Sequence, residues 1–472
     1  MESQTTQKLS GKTIAGYSMA SLGDAASYNL MGMYFIFFLT NVVLMDPVRA
    51  GSIVSTGAIV AAVSILFIGI ISDNLKSKYG RRRPMLAVSI APQAVAVFLM
   101  YTAVNFGEAG TYWFYVVVMG TMAVFYNVFL TPYLALGAEM TMDYDERTKL
   151  RTPATIMQLI GNIIAMSLPM VIIYGVFMAG GMSQERSWQT YGGIVAAICG
   201  VMFFVTWNST RGKELPREMV MSEDHKENPF KTYARVFSLK PFRSVALICF
   251  LFMIGYCIYT ATIAYFVYYA VGLGDNEIGI TTLAYIFAGL VITPLMMLFS
   301  NKVGKRMALA IALLFTVACM LIFFVVGVTS LLTLVILQIL FSVGIGAYWL
   351  LIYAMVYDVA EVYEFKYGER REASIGSLFG FVSAVSFAIA GALVGLILGS
   401  FGYDATQMVQ APETVEGIKL LYLVIPAILF ALAAVVAFRF PITKARFELL
   451  MVALEAKRAG QTPDTKGLEK VL

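Results

Sequence analysis

Apolar residues dominate twelve stretches of the chain, near 14–45, 50–72, 84–106, 111–137, 153–178, 188–209, 243–272, 278–300, 307–328, 330–357, 373–402 and 417–440. Each is long enough to cross a hydrocarbon core of about 30 Å at about 1.5 Å per helical residue. The polar turns between them are charged unevenly. Numbering the stretches puts both termini and every even-to-odd turn on one face. That face carries 31 of the 34 Lys and Arg residues, leaving Arg49, Arg186 and Lys419 opposite. By the positive-inside rule the basic face is cytoplasmic. The expectation is an all-α membrane protein of twelve transmembrane helices in the inner membrane, with both ends inside.

Composition narrows the function classes. The chain is 59% hydrophobic and 13% charged, against a charged share near 25% in soluble domains. Its net charge of +5 is explained by cytoplasmic turns that face anionic headgroups, so membrane lipid, not nucleic acid, is the expected anionic partner. Cys199, Cys249, Cys257 and Cys319 all fall inside apolar stretches and read as small buried hydrophobes. His225, in a charged linker, is the single histidine, which excludes a His-based triad or metal site. No nucleotide-binding motif or zinc-spaced cysteine pair is present. Neither an enzyme nor a cofactor is expected, and active pumping would draw on an ion gradient. Residues 1–12 are polar and lead straight into the first stretch, so no cleavable signal peptide is expected.

The charged run 210–242 separates six stretches from six. Four parts are expected: a six-helix bundle over 1–209, a cytoplasmic linker over 210–242, a second bundle over 243–440 and a cytosolic tail over 441–472. The halves echo each other. Ser72 to Arg83 after the second stretch and Ser300 to Arg306 after the eighth share a small-polar, basic, glycine, basic order. The turns after the fourth and tenth stretches both run from acidic to basic. A parallel repeat of this kind marks two-bundle secondary transporters, whose substrate site lies near the midplane. Gly80 and Gly304 would permit tight turns, and the following cations would reach carboxylates or helix-end carbonyls. Asp73, Arg81, Arg82, Arg83, Glu139, Asp143 and Arg147, with Glu361, Arg370 and Arg371, are the expected cytoplasmic gate. Charge pairs there would form in one state and break in the other. Topology signalling and headgroup contact are the other use of the same charges.

A charge inside a span is expensive and usually functional. Asp24, about ten residues into the first stretch, is the clear case, either as an acceptor for substrate hydroxyls or as a proton carrier. A helix-packing role is the structural alternative. Polar and aromatic groups accompany it: Tyr28, Asn29, Tyr34 and Asn41 in span one, Tyr126 and Asn127 in span four, Gln158 and Asn162 in span five. Span seven adds Tyr256, Tyr259, Tyr265, Tyr268 and Tyr269, and span ten adds Trp349. Sugar sites set aromatic rings against C–H faces and polar groups at hydroxyls; tyrosines also pack between helices. Asp24, Tyr28, Tyr126, Asn127 and Trp349 are the candidate substrate contacts.

Three blocks resemble the glycoside–pentoside–hexuronide:cation symporter family, the melibiose-permease branch of the major facilitator superfamily. They are Ser72-Asp73 through Gly80-Arg81-Arg82-Arg83-Pro84, then Pro132-Tyr133 through Glu139 and Asp143-Tyr144-Asp145-Glu146-Arg147, and Asp358-Val359-Ala360-Glu361 through Arg370, Arg371 and Glu372. The resemblance implies transport of sugars or their derivatives with Na⁺, Li⁺ or H⁺. It places Asp24 at the family's first-helix sugar-binding carboxylate and Trp349 at its tenth-helix aromatic contact. The family's Asp-x-x-x-Asp-Pro cation motif reads Ala61, Ile65 and Leu66 here. Leu130, Thr155 and Ala384 stand where it has an acid, an arginine and a lysine. Loss of the acids removes the partner of the lysine, so the losses are mutually consistent. The family's Na⁺ site is therefore expected to be absent and no metal site is expected, which leaves proton coupling through Asp24, uncoupled facilitation or a substrate that is not a typical glycoside. The leading reading is a monomeric secondary carrier of a sugar or glycoside. A carrier of an amphipathic, lysolipid-like solute and a transport-inactive sensor or scaffold remain open beside it.

Overall fold

A computed structural model describes residues 9–75, 77, 80, 82–140, 144–213, 229–369, 371–407, 409–459, 461–463, 465–469 and 471. Within these ranges the side chains of Ile70, Asp73, Asn74, Ala138, Glu139, residues 144–148, Pro229, Phe230, Asp275 and Ala373 fall outside the description. Among the described residues the regular structure is helical throughout. The long helices are α1 (Gly11–Asn41), α2 (Pro47–Asn74), α3 (Arg83–Met100), α4 (Gly107–Glu139), α5 (Tyr144–Asn162, continuing through Met178) and α6 (Gln184–Ser209). They continue as α7 (Lys240–Tyr265, extended to Val271), α8 (Asp275–Val303), α9 (Lys305–Val326), α10 (Leu331–Tyr367), α11 (Glu372–Ser400) and α12 (Pro412–Lys419, continuing through Phe438). A short linker helix, Pro229–Ser238, precedes α7, and a tail helix α13 (Lys444–Arg458) follows α12.

Eleven of the described helices are long and apolar enough to cross a membrane by length and composition. The remaining long helix, α1, spans 31 residues but is diluted by Ser18, Ser21, Asp24, Ser27 and Asn29. It packs against α5 and α6 and buries most of its length. A helix wrapped by neighbours needs less apolar surface than one facing lipid, so α1 remains the twelfth span.

Starts and kinks follow the sequence. Asp46 accepts from the amides of Val48 and Arg49 ahead of Pro47, pairing a carboxylate cap with proline at the first helical position. Ser330 and Thr333 close a capping box on α10. In α5 the helix widens to π geometry over Ile163–Ser167 and again over Ile173–Met178, on either side of Pro169. Proline supplies no amide hydrogen, so carbonyls one turn earlier need other donors. The Tyr191 hydroxyl donates to the Ile164 carbonyl at 2.5 Å and the Tyr34 hydroxyl to Met166 at 2.6 Å. The first widened segment is thereby held by side chains of α6 and α1.

The repeated turns match at the level of atoms. Gly80 and Gly304 take φ values of +99° and +85°, a region that favours glycine. Arg83, at the start of α3, donates to the Trp207 carbonyl at the end of α6 (2.9 and 3.3 Å) and lies over the Trp207 ring. Arg306, at the start of α9, donates to the Phe440 carbonyl just beyond α12 (3.3 Å). Each cation neutralises the electronegative end of the last span in its half.

Spatially the chain forms two compact units. The first holds α1–α6 with Thr260–Leu283 and Gly391–Gly417; the second holds the linker helix, α7 up to Tyr259, Ala284–Ala390 and Ile418–Leu472. Backbone contacts bind the later segments into the first unit. A methyl at Gly51 of α2 would lie 2.5 Å from the Gly391 carbonyl oxygen and 2.9 Å from Gly395 Cα on α11. A methyl at Gly279 of α8 would lie 2.7 Å from the Ser167 carbonyl of kinked α5. Only residues without side chains allow helices this close.

Candidate functional site

In the first unit Asp24 sits where α1 runs flush against α6. The Cys199 thiol donates to the Gly23 carbonyl (3.2 Å), and a methyl at Gly23 would press on the Phe203 ring at 2.9 Å. This tight side leaves the carboxylate turned toward Tyr126 of α4. Tyr126 in turn stacks on Tyr28, with ring centroids 5.1 Å apart and planes 24° off parallel. Asp24 Oδ1 is shielded from solvent and has no hydrogen-bond partner among the described residues. An unmet buried carboxylate oxygen costs on the order of 1–3 kcal/mol or more, a cost relieved by a proton or by a ligand hydroxyl. Beside two parallel phenol rings, the group is suited to receive either.

The other candidates divide. Asn127 uses its amide hydrogens on α2, donating to the Ala61 carbonyl and to Ser64 Oγ, both at 2.8 Å. That contact fixes α4 to α2 at a position the family resemblance assigns to a cation ligand. Asn29 donates to Asn162 Oδ1 at 2.8 Å and ties α1 to α5. In the second unit, Trp349 keeps 40% of its surface exposed. It stands edge-on to Tyr348 and Tyr256 (5.4 and 6.1 Å) and stacks with Tyr353 at 6.3 Å. The second unit also holds a polar core whose members Gln338 and Tyr422 the sequence reading did not name. The Tyr259 hydroxyl donates to Gln338 Oε1 at 2.5 Å, and Gln338 Nε2 donates to the Tyr422 hydroxyl at 3.2 Å.

Among the gate candidates, Arg81, Asp143 and Arg370 lie outside the described residues, as do the side chains of Asp73, Glu139 and Arg147. Arg82 is buried and donates to Ser72 Oγ at 2.6 Å. Arg83 holds the end of α6 as described above. Arg371 pairs with Glu369 at 2.9 Å. Glu361 faces Arg458 of the tail helix at 3.6 Å, and Glu364 takes the same guanidinium in a two-bond fork of 2.8 and 2.7 Å. Lys305, at the start of α9, binds both oxygens of Asp358 at 2.6 and 2.8 Å.

Sequence reading missed a cluster at the end of the first unit remote from the termini. Asn41 Oδ1 accepts from Tyr403 at 2.7 Å and from Tyr269 at 3.0 Å, while those two hydroxyls bond each other at 3.1 Å. Thr40 and Tyr265 share a further bond of 2.6 Å. The knot therefore joins the last turn of α1 to the last turns of α7 and to the segment after α11. Asn41, Tyr265 and Tyr269 were visible as polar groups in apolar spans; their convergence with Tyr403, 362 positions from Asn41, left no local signal.

Known proteins supply the remaining comparison. A family model described as MFS/sugar transport protein matches residues 16–444. The chain is 27% identical over 476 residues to a glucuronide carrier protein homolog of Escherichia coli (strain K12), covering 96% of this chain and 98% of the relative. It is also 27% identical over 454 residues to an isoprimeverose transporter of Lactiplantibacillus pentosus, covering 94% and 91%. Among solved structures, a bacterial homolog to the human lysosomal transporter Spinster superposes with a TM-score of 0.65 at 13% identity, over 92% of this chain and 97% of that one. The nucleoside transporter NupG superposes with a TM-score of 0.64 at 14% identity, over 91% and 98%. At those identities the likeness shows the fold, a major facilitator fold, and that alone.

Proposed function

The chain belongs to the MFS/sugar transport protein family, and from that premise we propose that this integral membrane protein carries a sugar or glycoside by alternating access, coupled to protons through Asp24. The observation that carries the reading is Asp24, with one carboxylate oxygen shielded from solvent and without a hydrogen-bond partner among the described residues, turned toward the Tyr28–Tyr126 stack. Stacked phenols suit the C–H face of a pyranose, and the free carboxylate oxygen suits its hydroxyls. Relatives named for a glucuronide and for isoprimeverose support the solute class. The basic turns support a cytoplasmic-membrane location with both termini inside. Sodium independence follows from Ala61, Ile65 and Ala384, which offer no side-chain oxygen to a monovalent cation; one Asp24 would leave a replacement site weakly charged.

The test is uptake into proteoliposomes of a labelled glucuronide and of isoprimeverose, under separately imposed H⁺, Na⁺ and Li⁺ gradients. Stimulation by the proton gradient alone is expected, with loss of more than tenfold in Asp24→Asn. Sodium stimulation at constant membrane potential would show a cation site elsewhere. Uptake without response to any ion would reduce the protein to a facilitator, and no uptake of either probe would return the solute class to question.

A further inference from the structure

We propose that Trp349 and Tyr353 of α10 form a two-ring subsite, in which Tyr353 holds the second ring of a glycoside, the one joined through the glycosidic oxygen. The proposal rests on the sugar-carrying reading given above and narrows its solute to glycosides that carry a second ring. The two residues are four apart on α10, so their side chains stand one turn apart on a single face. Their ring centroids are 6.3 Å apart, with planes 23° from parallel. Both keep open surface, Trp349 at 40% and Tyr353 at 46% exposure. Rings joined through one glycosidic oxygen lie at a comparable spacing, so one can rest on each aromatic face.

Neighbouring rings fix both faces. Tyr348 and Tyr256 stand edge-on to Trp349 at 5.4 and 6.1 Å, and Phe379 of α11 stands edge-on to Tyr353 at 5.7 Å. Tyr348 stacks flat on Phe252 of α7 at 3.5 Å, and Phe252 stacks in turn on Phe430 of α12 at 5.1 Å. Ser383 of α11 donates to the Phe379 carbonyl at 3.2 Å, and its Oγ lies 3.1 Å from Cys249 Sγ of α7. The platform is therefore held from α7, α11 and α12, and a ring that settles on it finds the aromatic faces already in place.

The composition of this face separates it from one that meets lipid. The exposed residues of α9 are apolar throughout, among them Ile311, Leu314, Ile322 and Val325. In its first turns α10 likewise exposes Leu332, Ile336 and Ile339, but from Trp349 onward it exposes rings with polar tips. An indole N–H and a phenol hydroxyl at the ring edges can bond sugar hydroxyls. Interfacial belts also collect Trp and Tyr, and Tyr357, next to Asp358 at the basic end, suits that level. Trp349 lies eight residues deeper, roughly 12 Å along the helix, and Tyr353 stacks on it. A single pyranose covers one ring face, so a solute without a second ring leaves Tyr353 unused. Tyr353 is thus the residue that separates two-ring glycosides from single sugars.

The experiment is calorimetric titration of the purified full-length protein with methyl β-D-glucuronide, which has one ring, and p-nitrophenyl β-D-glucuronide, which has two. The parent should bind the nitrophenyl glycoside more tightly; a parent that binds the two alike would overturn the subsite without any variant. Tyr353→Leu keeps an apolar contact for Phe379 and removes the ring face. It should weaken the nitrophenyl glycoside by about tenfold and leave the methyl glycoside within about twofold of the parent. That retained methyl affinity also shows that the variant is folded. Tyr353→Phe retains the face and should bind both probes as the parent does. Undiminished nitrophenyl affinity in Tyr353→Leu would overturn the subsite alone. An equal loss for both probes would do the same, because Tyr353 would then support the first ring's site. Failure of the parent to bind either glycoside would overturn the solute class itself, and the subsite with it.

Discussion

The two ends of the helices are fastened by different chemistry. At the end remote from the termini, α1, α2, α5, α7, α8 and α11 meet in the first unit through uncharged groups. Asn41, Thr40, Tyr265, Tyr269 and Tyr403 supply the hydrogen bonds, and Gly51, Gly391, Gly395 and Gly279 supply the close crossings. The Arg49–Glu108 ion pair at that end is exposed to solvent and joins neighbouring helices. At the basic end the fastenings carry charge: Arg83 donates to the carbonyl at the end of α6, and Lys305 pairs with Asp358 and Arg458 with Glu361 and Glu364. Neutral knots gain strength from burial and ignore salt, whereas exposed ion pairs are screened within a Debye length of about 8–10 Å. A carrier that must reopen the far end would do so by breaking short neutral bonds, and the basic end would respond to ionic strength.

The largest effect should come from the glycine crossing. Gly395→Leu places a branched side chain where the backbone of Gly51 already stands, and neither helix can yield without losing its packing. Apparent stability in detergent should fall by about 3 kcal/mol, read from thermal unfolding. A variant as stable as the parent would mean that the α2–α11 contact opens without cost. Next is Asn41→Ala, which deprives Tyr269 and Tyr403 of a shared acceptor and should cost about 2 kcal/mol. Adding 0.5 M salt should leave that loss unchanged. Arg458→Gln should cost at most about 1 kcal/mol, because its side chain is 44% exposed and such pairs are weak. Its effect should shrink in the same salt, and a salt-sensitive Asn41 effect beside a salt-insensitive Arg458 effect would invert the comparison.

How much of this was written in the sequence depends on how far apart the partners lie. The spans and the repeated turns were legible because hydropathy and charge act through local runs, and Gly80 and Gly304 hold the turn geometry expected of them. Asp24 was legible because a carboxylate in an apolar run is conspicuous. Its neighbours were not separable by type. Tyr28 and Tyr126 stand at the carboxylate, while Tyr265 and Tyr269 belong to the far knot and Tyr259 to the buried core around Gln338. All are tyrosines in apolar helices, and only the packing of distant segments assigns them. Asn127 carried the same ambiguity, and only the packing shows its two amide bonds to α2. The tail was read only as a cytosolic extension, and Leu450, Ala453 and Leu454 are buried where α13 meets α10.

The smallest effect, and the sharpest on the neutral character of the far end, concerns Asp404 in the turn between α11 and α12. Its carboxylate accepts from the Thr406 amide (3.0 Å), the Thr406 hydroxyl (2.7 Å) and Gln407 Nε2 (3.0 Å). The Thr406 bonds, first the hydroxyl and then the amide, hold its pKa below the ordinary aspartate value. A depressed folded-state pKa means that the charged form is favoured by the fold. The stabilisation is therefore present above the unfolded value, near 4, and is lost as pH falls through the lower folded value. Its place in a surface turn limits its size, so the readout should be local: amide exchange at Thr406, corrected for the intrinsic pH dependence of exchange. Protection should decline below about pH 4 in the parent. Asp404→Asn keeps an acceptor for the same turn and should remove the pH dependence while retaining protection. Should acid instead loosen Tyr403 and Asn41 together with Thr406, the knot would be coupled to a titrating group and its neutrality would fail as an account of the far end.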